Sequence, residues 1–263
     1  MKIVQIPDSL ILGAVQGLTE FIPISSSGHL ILVQKIFGLK DRGLAFDAFL
    51  HLGTLLATLI YFRGDWLKIL KETACRKIFW YIIIATLPAA LIGIFLQNII
   101  ATFFRDILWV ALFLILTSFV FFLAEKYYYL KINKKSLDKL NWKDALIIGF
   151  SQIFALLPGV SRSGITICAG MFRSLRRVEA TRFSFLMATL IIFGAGFMET
   201  LNLLSTSKFN TLGLEAAGGF LTSFIAGFLS IKFLLSFLKT HRLYIFALYL
   251  FIIGIILLIL QWL

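Results

Sequence analysis

Long apolar segments separated by short basic connections constrain this chain more strongly than any other feature of its sequence. Six segments approach the roughly 20 apolar residues that an α-helix needs to cross a bilayer. They are 45–62, 78–100, 107–124, 183–204, 216–238 and 243–263. Because 60% of the residues are hydrophobic and only 14% are charged, the composition excludes an ordinary soluble domain. The sequence therefore predicts an all-α integral membrane protein in which residues 1–263 form a single membrane domain.

The basic residues indicate how these segments are oriented. Most of them lie in four connections, at 63–77, 125–143, 173–182 and 239–242. A net charge of +12 also occurs in proteins that bind nucleic acid. Here the clusters border apolar segments, and the positive-inside rule places such connections in the cytoplasm. We therefore expect these basic residues to interact with the bilayer and not with nucleic acid.

Two further apolar segments, 9–38 and 145–172, do not fit a single crossing. Segment 145–172 has a basic connection at each end, so one crossing would leave one of these connections outside. A re-entrant hairpin that bends at Pro158-Gly159 solves this, because proline and glycine interrupt helices. The same reasoning predicts that 9–38 is a re-entrant hairpin that enters the membrane from the outside.

The two hairpins open two similar halves of the chain. A shift of 136 residues aligns Ile11, Gly13, Gln16, Ser25, Ser27 and Gly28 with Ile147, Gly149, Gln152, Ser161, Ser163 and Gly164. Chance agreement among small and apolar residues is the alternative explanation. Because the loop charges give the halves opposite orientations, we predict an inverted-topology repeat. Residues 1–124 (re-entrant 9–38 and the first three spans) form one unit, and 145–263 (re-entrant 145–172 and the last three spans) form the other. In such folds broken helices meet near the membrane midplane.

The chemically reactive positions differ between the halves. The first half carries Glu20, Ser26 and His29 where the second carries a leucine, Arg162 and an isoleucine. An arginine within a membrane costs about 2.5–3.5 kcal/mol on insertion scales and needs a partner or an anionic ligand. Guanidinium groups match phosphate geometry, although a structural ion pair with Glu20 is the alternative. If the hairpins meet, these groups form one composite site.

Serines and glycines at the predicted starts of new half-helices extend this site. Backbone N–H groups at such starts, with hydroxyls beside them, bind anions, and plain helix capping is the alternative. The candidate phosphate-binding residues are Gln16, Ser25, Ser27, Gly28, Ser161, Ser163, Gly164 and Thr166. Asp47 and His51, four residues apart on the next helix, are candidates for lining the same cavity. Gly13 and Gly17 are also four apart, which permits close helix contact.

Roles for the reactive groups follow from their chemistry. Glu20 is a candidate general base, metal ligand or orienting partner for His29. His29, three residues from Ser26, is a candidate proton relay to a serine or a leaving oxygen. Either Ser26 or a water molecule could then attack phosphorus.

Three motifs together resemble a known family. They are Q-G-L-T-E-F-I-P-I-S-S-S-G-H at 16–29, F-D-A-F-L-H-L-G-T-L-L-A at 46–57 and P-G-V-S-R-S-G-I-T at 158–166. The chain is identified by them as a member of the undecaprenyl-diphosphate phosphatases linked to bacitracin resistance, and the resemblance covers nearly its whole length. It implies removal of the terminal phosphate of undecaprenyl diphosphate in the bacterial cytoplasmic membrane, which recycles the carrier lipid for cell-wall synthesis.

The resemblance also implies catalytic roles for Glu20, Ser26, His29 and Arg162, and dependence on a divalent cation, Mg²⁺ or Ca²⁺, with Glu20 as its ligand. Gln16 stands at the first position of the family's glutamate pair and supplies no second charge, which puts a two-carboxylate metal site in doubt. We expect the site to open to the outer face of the membrane. A homodimer is left open. Because transporters also use inverted repeats with broken helices, a polyprenyl-phosphate flippase or anion transporter is the alternative function.

Overall fold

The fold is helical throughout the described part of the chain. A computed structural model describes residues 6–39, 44–73, 75–104, 106–205 and 209–261, without the side chains of 6, 44–45, 97–98, 101, 198–205 and 209–213. The helices are α1 (Ile6–Phe21), α2 (Ser26–Ile36), α3 (Leu44–Tyr61), α4 (Arg63–Lys71), α5 (Arg76–Phe103), α6 (Ile107–Leu130), α7 (Trp142–Phe154), α8 (Arg162–Phe172), α9 (Arg177–Ser205), α10 (Phe209–Thr240) and α11 (Tyr244–Leu260). The predicted all-α class is confirmed for these residues.

Several helices are long and apolar enough to cross a membrane. Four described segments meet both criteria: Arg76–Leu96, Ile107–Leu130, Arg177–Phe197 and Leu214–Thr240. Two shorter apolar helices, Phe46–Tyr61 and Tyr244–Leu260, correspond to the other two predicted spans. The last two residues of predicted span 243–263 lie outside the described residues. The chain is therefore a multi-pass membrane protein.

One connection contains a helix that the sequence analysis did not predict. The connection 63–77 holds α4, whose first turn carries Asp65 and whose last turn carries Lys68 and Lys71. Acidic residues at the start of a helix and basic residues at its end interact favourably with the helix dipole. The charges that indicated a cytoplasmic loop therefore also stabilise this short helix.

The basic connections lie together at one end of the molecule, which we call the basic end. The Lys77 ammonium donates to the carbonyl of Asp138 at 2.7 Å, joining the first connection to the second. The backbone N–H of Lys135 donates to the carbonyl of Ser174 at 2.7 Å, joining the second to the third. The latter bond also joins the segment before α7 to the segment after α8, so both ends of this hairpin lie at the basic end.

A buried carboxylate joins the fourth connection to this end. Glu125 is 1% exposed and accepts two hydrogen bonds from Arg177, at 2.8 and 2.5 Å. Its Oε1 also accepts from the backbone N–H of Leu243 at 2.8 Å. A buried charge is tolerated only when it is paired in this way, so Glu125 ties α6, α9 and the start of α11 together.

Helices from opposite halves of the chain pack against each hairpin. Helix α10 packs along α1 and α3, and α5 packs along α7 and α9. A Cβ at Gly13 would lie 2.3 Å from the carbonyl of Gly219, and one at Gly17 would lie 2.5 Å from that of Ser223. The close helix contact predicted for Gly13 and Gly17 is confirmed.

The second helices of the two hairpins begin alike. The bounds of α8 are those of α2 shifted by 136 residues. Ser25 and Ser161 are the N-caps, and their hydroxyls accept from the N–H groups of Gly28 and Gly164 at 3.4 and 3.2 Å. Equivalent sequence positions therefore make equivalent capping bonds, although φ is +72° at Ser25 and −75° at Ser161.

Candidate active site

The two hairpin tips meet where α1 and α7 end and α2 and α8 begin. A Cβ built on Gly28 would lie 3.6 Å from the Cα of Gly159. Gly159 has a φ of +100°, and a Cβ there would lie 2.6 Å from the carbonyl of Val110. Only glycine fits this conformation and this spacing. The structure therefore brings together the two bends that the sequence placed in one composite site.

Glu20 is the centre of the polar groups at this junction. Its Oε1 accepts from Arg162 Nη2 at 2.5 Å. Its Oε2 accepts from Ser26 Oγ at 2.7 Å and from Gln16 Nε2 at 2.9 Å. Because Glu20 is only 7% exposed, its charge depends on these three donors. Glu20, the predicted base, thus contacts both the predicted nucleophile, Ser26, and the predicted anion-binding arginine, Arg162.

The imidazole nearest to this cluster belongs to His51. Its Nε2 lies 3.8 Å from Glu20 Oε2. Its Nδ1 lies 2.8 Å from the carbonyl of Asp47, which can only accept, so Nδ1 carries a proton. Nε2 is therefore the ring nitrogen without this bond, and it faces the carboxylate.

His29 is turned away from the cluster, although the sequence analysis placed it beside Ser26. Its Nδ1 donates to the carbonyl of Ser25 at 2.8 Å, and its Nε2 accepts from the hydroxyl of Tyr249 at 2.7 Å. The ring also stacks on that of Tyr249, with 5.6 Å between centroids. The bond to the carbonyl of the N-cap residue fixes the ring against its own helix and directs it toward α11. The position of His29 three residues from Ser26 does not predict the direction of its side chain.

A cavity of about 210 Å³ lies at the junction of the tips. Its polar lining comes from Thr19, Glu20, Ser26, Ser27, His51, Gln152, Ser161 and Arg162. Apolar residues of α5 and α9, among them Ala89 and Ile191, also line it. These two residues lie about 20 Å along their helices from the basic end, at 1.5 Å per residue. The hydrocarbon core is about 30 Å thick, so the cavity lies well inside the membrane thickness.

The other predicted residues support the tips. Ser25 and Ser161 cap their helices, and Ser163 Oγ lies 3.3 Å from Ser161 Oγ. Thr166 Oγ1 contacts Ser184 Oγ at 2.7 Å and the carbonyl of its own helix start. Of the pair Asp47 and His51, only His51 is among the residues that line the cavity.

The sequence analysis assigned no site role to three residues that the structure places here: Thr19, Gln152 and Tyr249. Gln152 could have been found from the internal repeat, because it aligns with Gln16. Nothing in the sequence linked Tyr249 to His29, which is 220 residues away.

The side chains at the site provide only some of the ligands that a metal ion needs. Among the described residues, no three His, Cys, Asp or Glu side chains form a group that could hold a metal ion. Gln16 Oε1, however, is buried beside Glu20 without a hydrogen-bond partner. Amide and carboxylate oxygens are ligands for Ca²⁺, and Mg²⁺ is commonly held by one or two carboxylates plus substrate phosphates. The residues therefore fit a cation that binds together with a phosphate ligand.

Comparison with known proteins places this geometry in a family. Residues 9–256 match the family described as bacitracin resistance protein BacA. An undecaprenyl-diphosphatase of Desulforudis audaxviator is 42% identical over 254 residues, which cover 94% of this chain and 95% of that protein. Proteins of the same name from Caldicellulosiruptor bescii (42% identical, 95% of each chain) and Elusimicrobium minutum (41%, 96% of each) are similar over the same extent. The chain belongs to the BacA family of bacitracin resistance proteins.

Proposed function

We propose that the protein hydrolyses the terminal phosphate of undecaprenyl diphosphate, giving undecaprenyl phosphate and inorganic phosphate, and so returns the carrier lipid to cell-wall synthesis. One observation carries this proposal: the Ser26 hydroxyl is hydrogen-bonded to Glu20, which is itself paired with Arg162. Membership of the family supplies the substrate, since the similar proteins are named undecaprenyl-diphosphatases.

We propose Ser26, rather than water, as the attacking group. Its Oγ lies 2.7 Å from Glu20 Oε2, within reach for general-base catalysis. In the proposed reaction Ser26 Oγ bonds to the terminal phosphorus and passes its proton to Glu20. The bond from that phosphorus to the bridging oxygen breaks, and undecaprenyl phosphate leaves. Water then cleaves the phosphoserine: one of its protons restores the Ser26 hydroxyl, and inorganic phosphate leaves. Glu20 gives up the proton it took from Ser26 to the solvent, which closes the cycle.

Positive groups around the cavity stabilise the charge that develops on the phosphoryl oxygens. Arg162 Nη1 is buried without a partner and is free to donate to a ligand. Helices α2 and α8 both begin at the cavity, with Ser26 and Arg162 as their first residues. The N-terminus of a helix carries a partial positive charge and free N–H groups. Preorganised donors of this kind are usually the largest single contribution to catalysis.

His51 is proposed as the proton carrier next to Glu20, because its Nε2 faces that carboxylate. The proton-relay role of His29 stays a prediction. We propose Glu20 and Gln16 as the residues that would hold a divalent cation, Mg²⁺ or Ca²⁺, when the substrate brings its phosphoryl oxygens to the site. Such a cation would supply further positive charge to those oxygens.

For the membrane arrangement we propose the inverted repeat of 1–124 and 145–263, with six spans and two re-entrant hairpins, in the bacterial cytoplasmic membrane. The matching bounds of α2 and α8 support it, as does the exchanged packing of α10 on α1 and α5 on α7. With the basic end in the cytoplasm, the first hairpin enters from the outside and the cavity opens to the outer face. A homodimer stays a prediction.

The experiment that tests this function separates a phosphatase from a transporter. Purified protein in detergent is given undecaprenyl diphosphate, and inorganic phosphate is measured. The proposal predicts release that requires Arg162. No release, together with Arg162-dependent movement of a polyprenyl phosphate or an anion across vesicles, would establish the flippase or transporter instead.

A further inference from the structure

Gln152 lines the cavity with a side chain that lacks any hydrogen bond. It is 2% exposed and lies in the last turn of α7. Neither its Nε2 nor its Oε1 has a partner. A buried amide without partners costs about 1–3 kcal/mol, and most such groups in proteins are paired. An amide kept in this state beside a polar cavity indicates a ligand.

Comparison of the two halves of the chain shows why this amide has no partner within its own helix. Gln16, at the equivalent position of the first half, donates to Glu20 at 2.9 Å. The residue equivalent to Glu20 in the second half is Leu156, which also lines the cavity and offers no acceptor. In the second half, the amide donor of Gln152 therefore lines the cavity without a carboxylate acceptor beside it.

Arg162 indicates what kind of ligand completes this arrangement. Its Nη2 is held by Glu20, whereas its Nη1 is buried without a partner. Two unpaired N–H donors, one of them charged, thus line one cavity from the same hairpin. A ligand that satisfies both must offer several strong acceptors, as a phosphoryl group does.

We propose that Gln152 is a substrate-binding residue whose Nε2 donates to a phosphoryl oxygen of the bound diphosphate, beside Arg162 Nη1. The identity of the ligand rests on the proposed function. As a neutral amide, Gln152 adds a donor without adding negative charge to an anion site that already contains Glu20. It holds the substrate in both the ground state and the transition state, so its loss raises KM more than it lowers kcat.

The test compares Gln152→Leu with wild-type protein and with Ser151→Ala, a control on the same helix. The Ser151 hydroxyl bonds only to the carbonyl of Ile148 and does not line the cavity. Calorimetric titration with methylene diphosphonate, a diphosphate analogue whose P–C–P bridge is not hydrolysed, measures binding without turnover, and phosphate release from undecaprenyl diphosphate gives KM and kcat. For Gln152→Leu we expect affinity to fall and KM to rise about 10- to 100-fold, the effect of losing a hydrogen bond to a charged group. Ser151→Ala should match wild type in both.

Thermal stability distinguishes binding from a structural role. Replacing an unpaired buried amide by an apolar group of similar size is neutral or stabilising, so the melting temperature of Gln152→Leu should equal or exceed that of wild type. If the leucine variant is not recovered folded, Gln152→Glu, which keeps the shape and adds negative charge, should show an even larger loss of diphosphonate binding.

Unchanged affinity and KM in these variants would overturn the inference, and so would a lowered melting temperature that accounts for the whole loss. If wild-type protein binds the diphosphonate but releases no phosphate from the lipid, the proposed function fails while the binding comparison still decides the role of Gln152. If wild-type protein neither binds nor hydrolyses, both are overturned.

Discussion

Breaking the ion pair between Glu20 and Arg162 should cost stability as well as activity. The two side chains are 6% and 14% exposed and approach to 2.5 Å. Removing one partner of a buried pair costs about 3–5 kcal/mol, because the other charge is left uncompensated. Arg162→Met leaves Glu20 with donors only from Ser26 and Gln16, so we expect the lower value, about 3 kcal/mol. Glu20→Gln should lower stability by about as much, since it leaves the Arg162 guanidinium without a negative partner.

The double variant measures the interaction between Glu20 and Arg162 separately from their other contacts. With both charges gone, Glu20→Gln/Arg162→Met should regain stability, giving a coupling free energy of about 3 kcal/mol in a double-mutant cycle. Unfolding of the detergent-solubilised protein measures it. Arg182→Met, which breaks the half-exposed pair with Asp65 at the basic end, is the control and should cost less than about 1 kcal/mol.

Activity should not follow stability in this cycle. Each single variant is expected to lose at least about 100-fold in kcat, since it removes a base or a positive group at the phosphoryl oxygens. The double variant should be no more active than the weaker single one. Additive stability effects, or a double variant whose turnover recovers with its stability, would refute the reasoning that this pair is both buried and catalytic.

Three further predictions concern packing, the imidazoles and topology. Gly17→Ala, which places a Cβ 2.5 Å from a carbonyl of α10, should lower stability by about 1–3 kcal/mol in thermal unfolding, whereas Gly64→Ala meets nothing within 4 Å and should have little effect. His51→Gln should reduce kcat more than Tyr249→Phe does, because His51 faces Glu20 whereas the Tyr249 hydroxyl bonds to His29. The reverse order would support His29 as the proton carrier. In a protein lacking native cysteines, Ser27→Cys should react with a membrane-impermeant thiol reagent from the outer face, and labelling only from the inside would contradict outward opening.

Patterns that depend on local chemistry predicted much of this molecule. Apolar length identified the membrane helices, and the shift of 136 residues aligned α2 with α8 to the residue. Glycines four apart predicted a close helix contact on one face of α1, and the structure identifies α10 as the partner. These features were readable because each depends on spacing along the chain or on the chemistry of a single residue type.

Side-chain directions were not readable in the same way. His29 and Ser26 lie in one turn of α2, yet the backbone carbonyl of Ser25 and the Tyr249 hydroxyl hold the imidazole away from Glu20. His51, from the next helix, reaches the carboxylate instead. Partners supplied by distant helices decide such directions, and a single sequence does not reveal them.

The most direct test of the central claim is to trap the phosphoserine intermediate at Ser26. Purified protein is mixed with undecaprenyl diphosphate labelled in its terminal phosphate, quenched rapidly and digested. The account predicts label on the peptide that contains Ser26, decaying as inorganic phosphate appears. It also predicts that Ser26→Ala carries no label and turns over at least about 100-fold more slowly. An unlabelled wild-type peptide together with near-normal turnover of Ser26→Ala would contradict it.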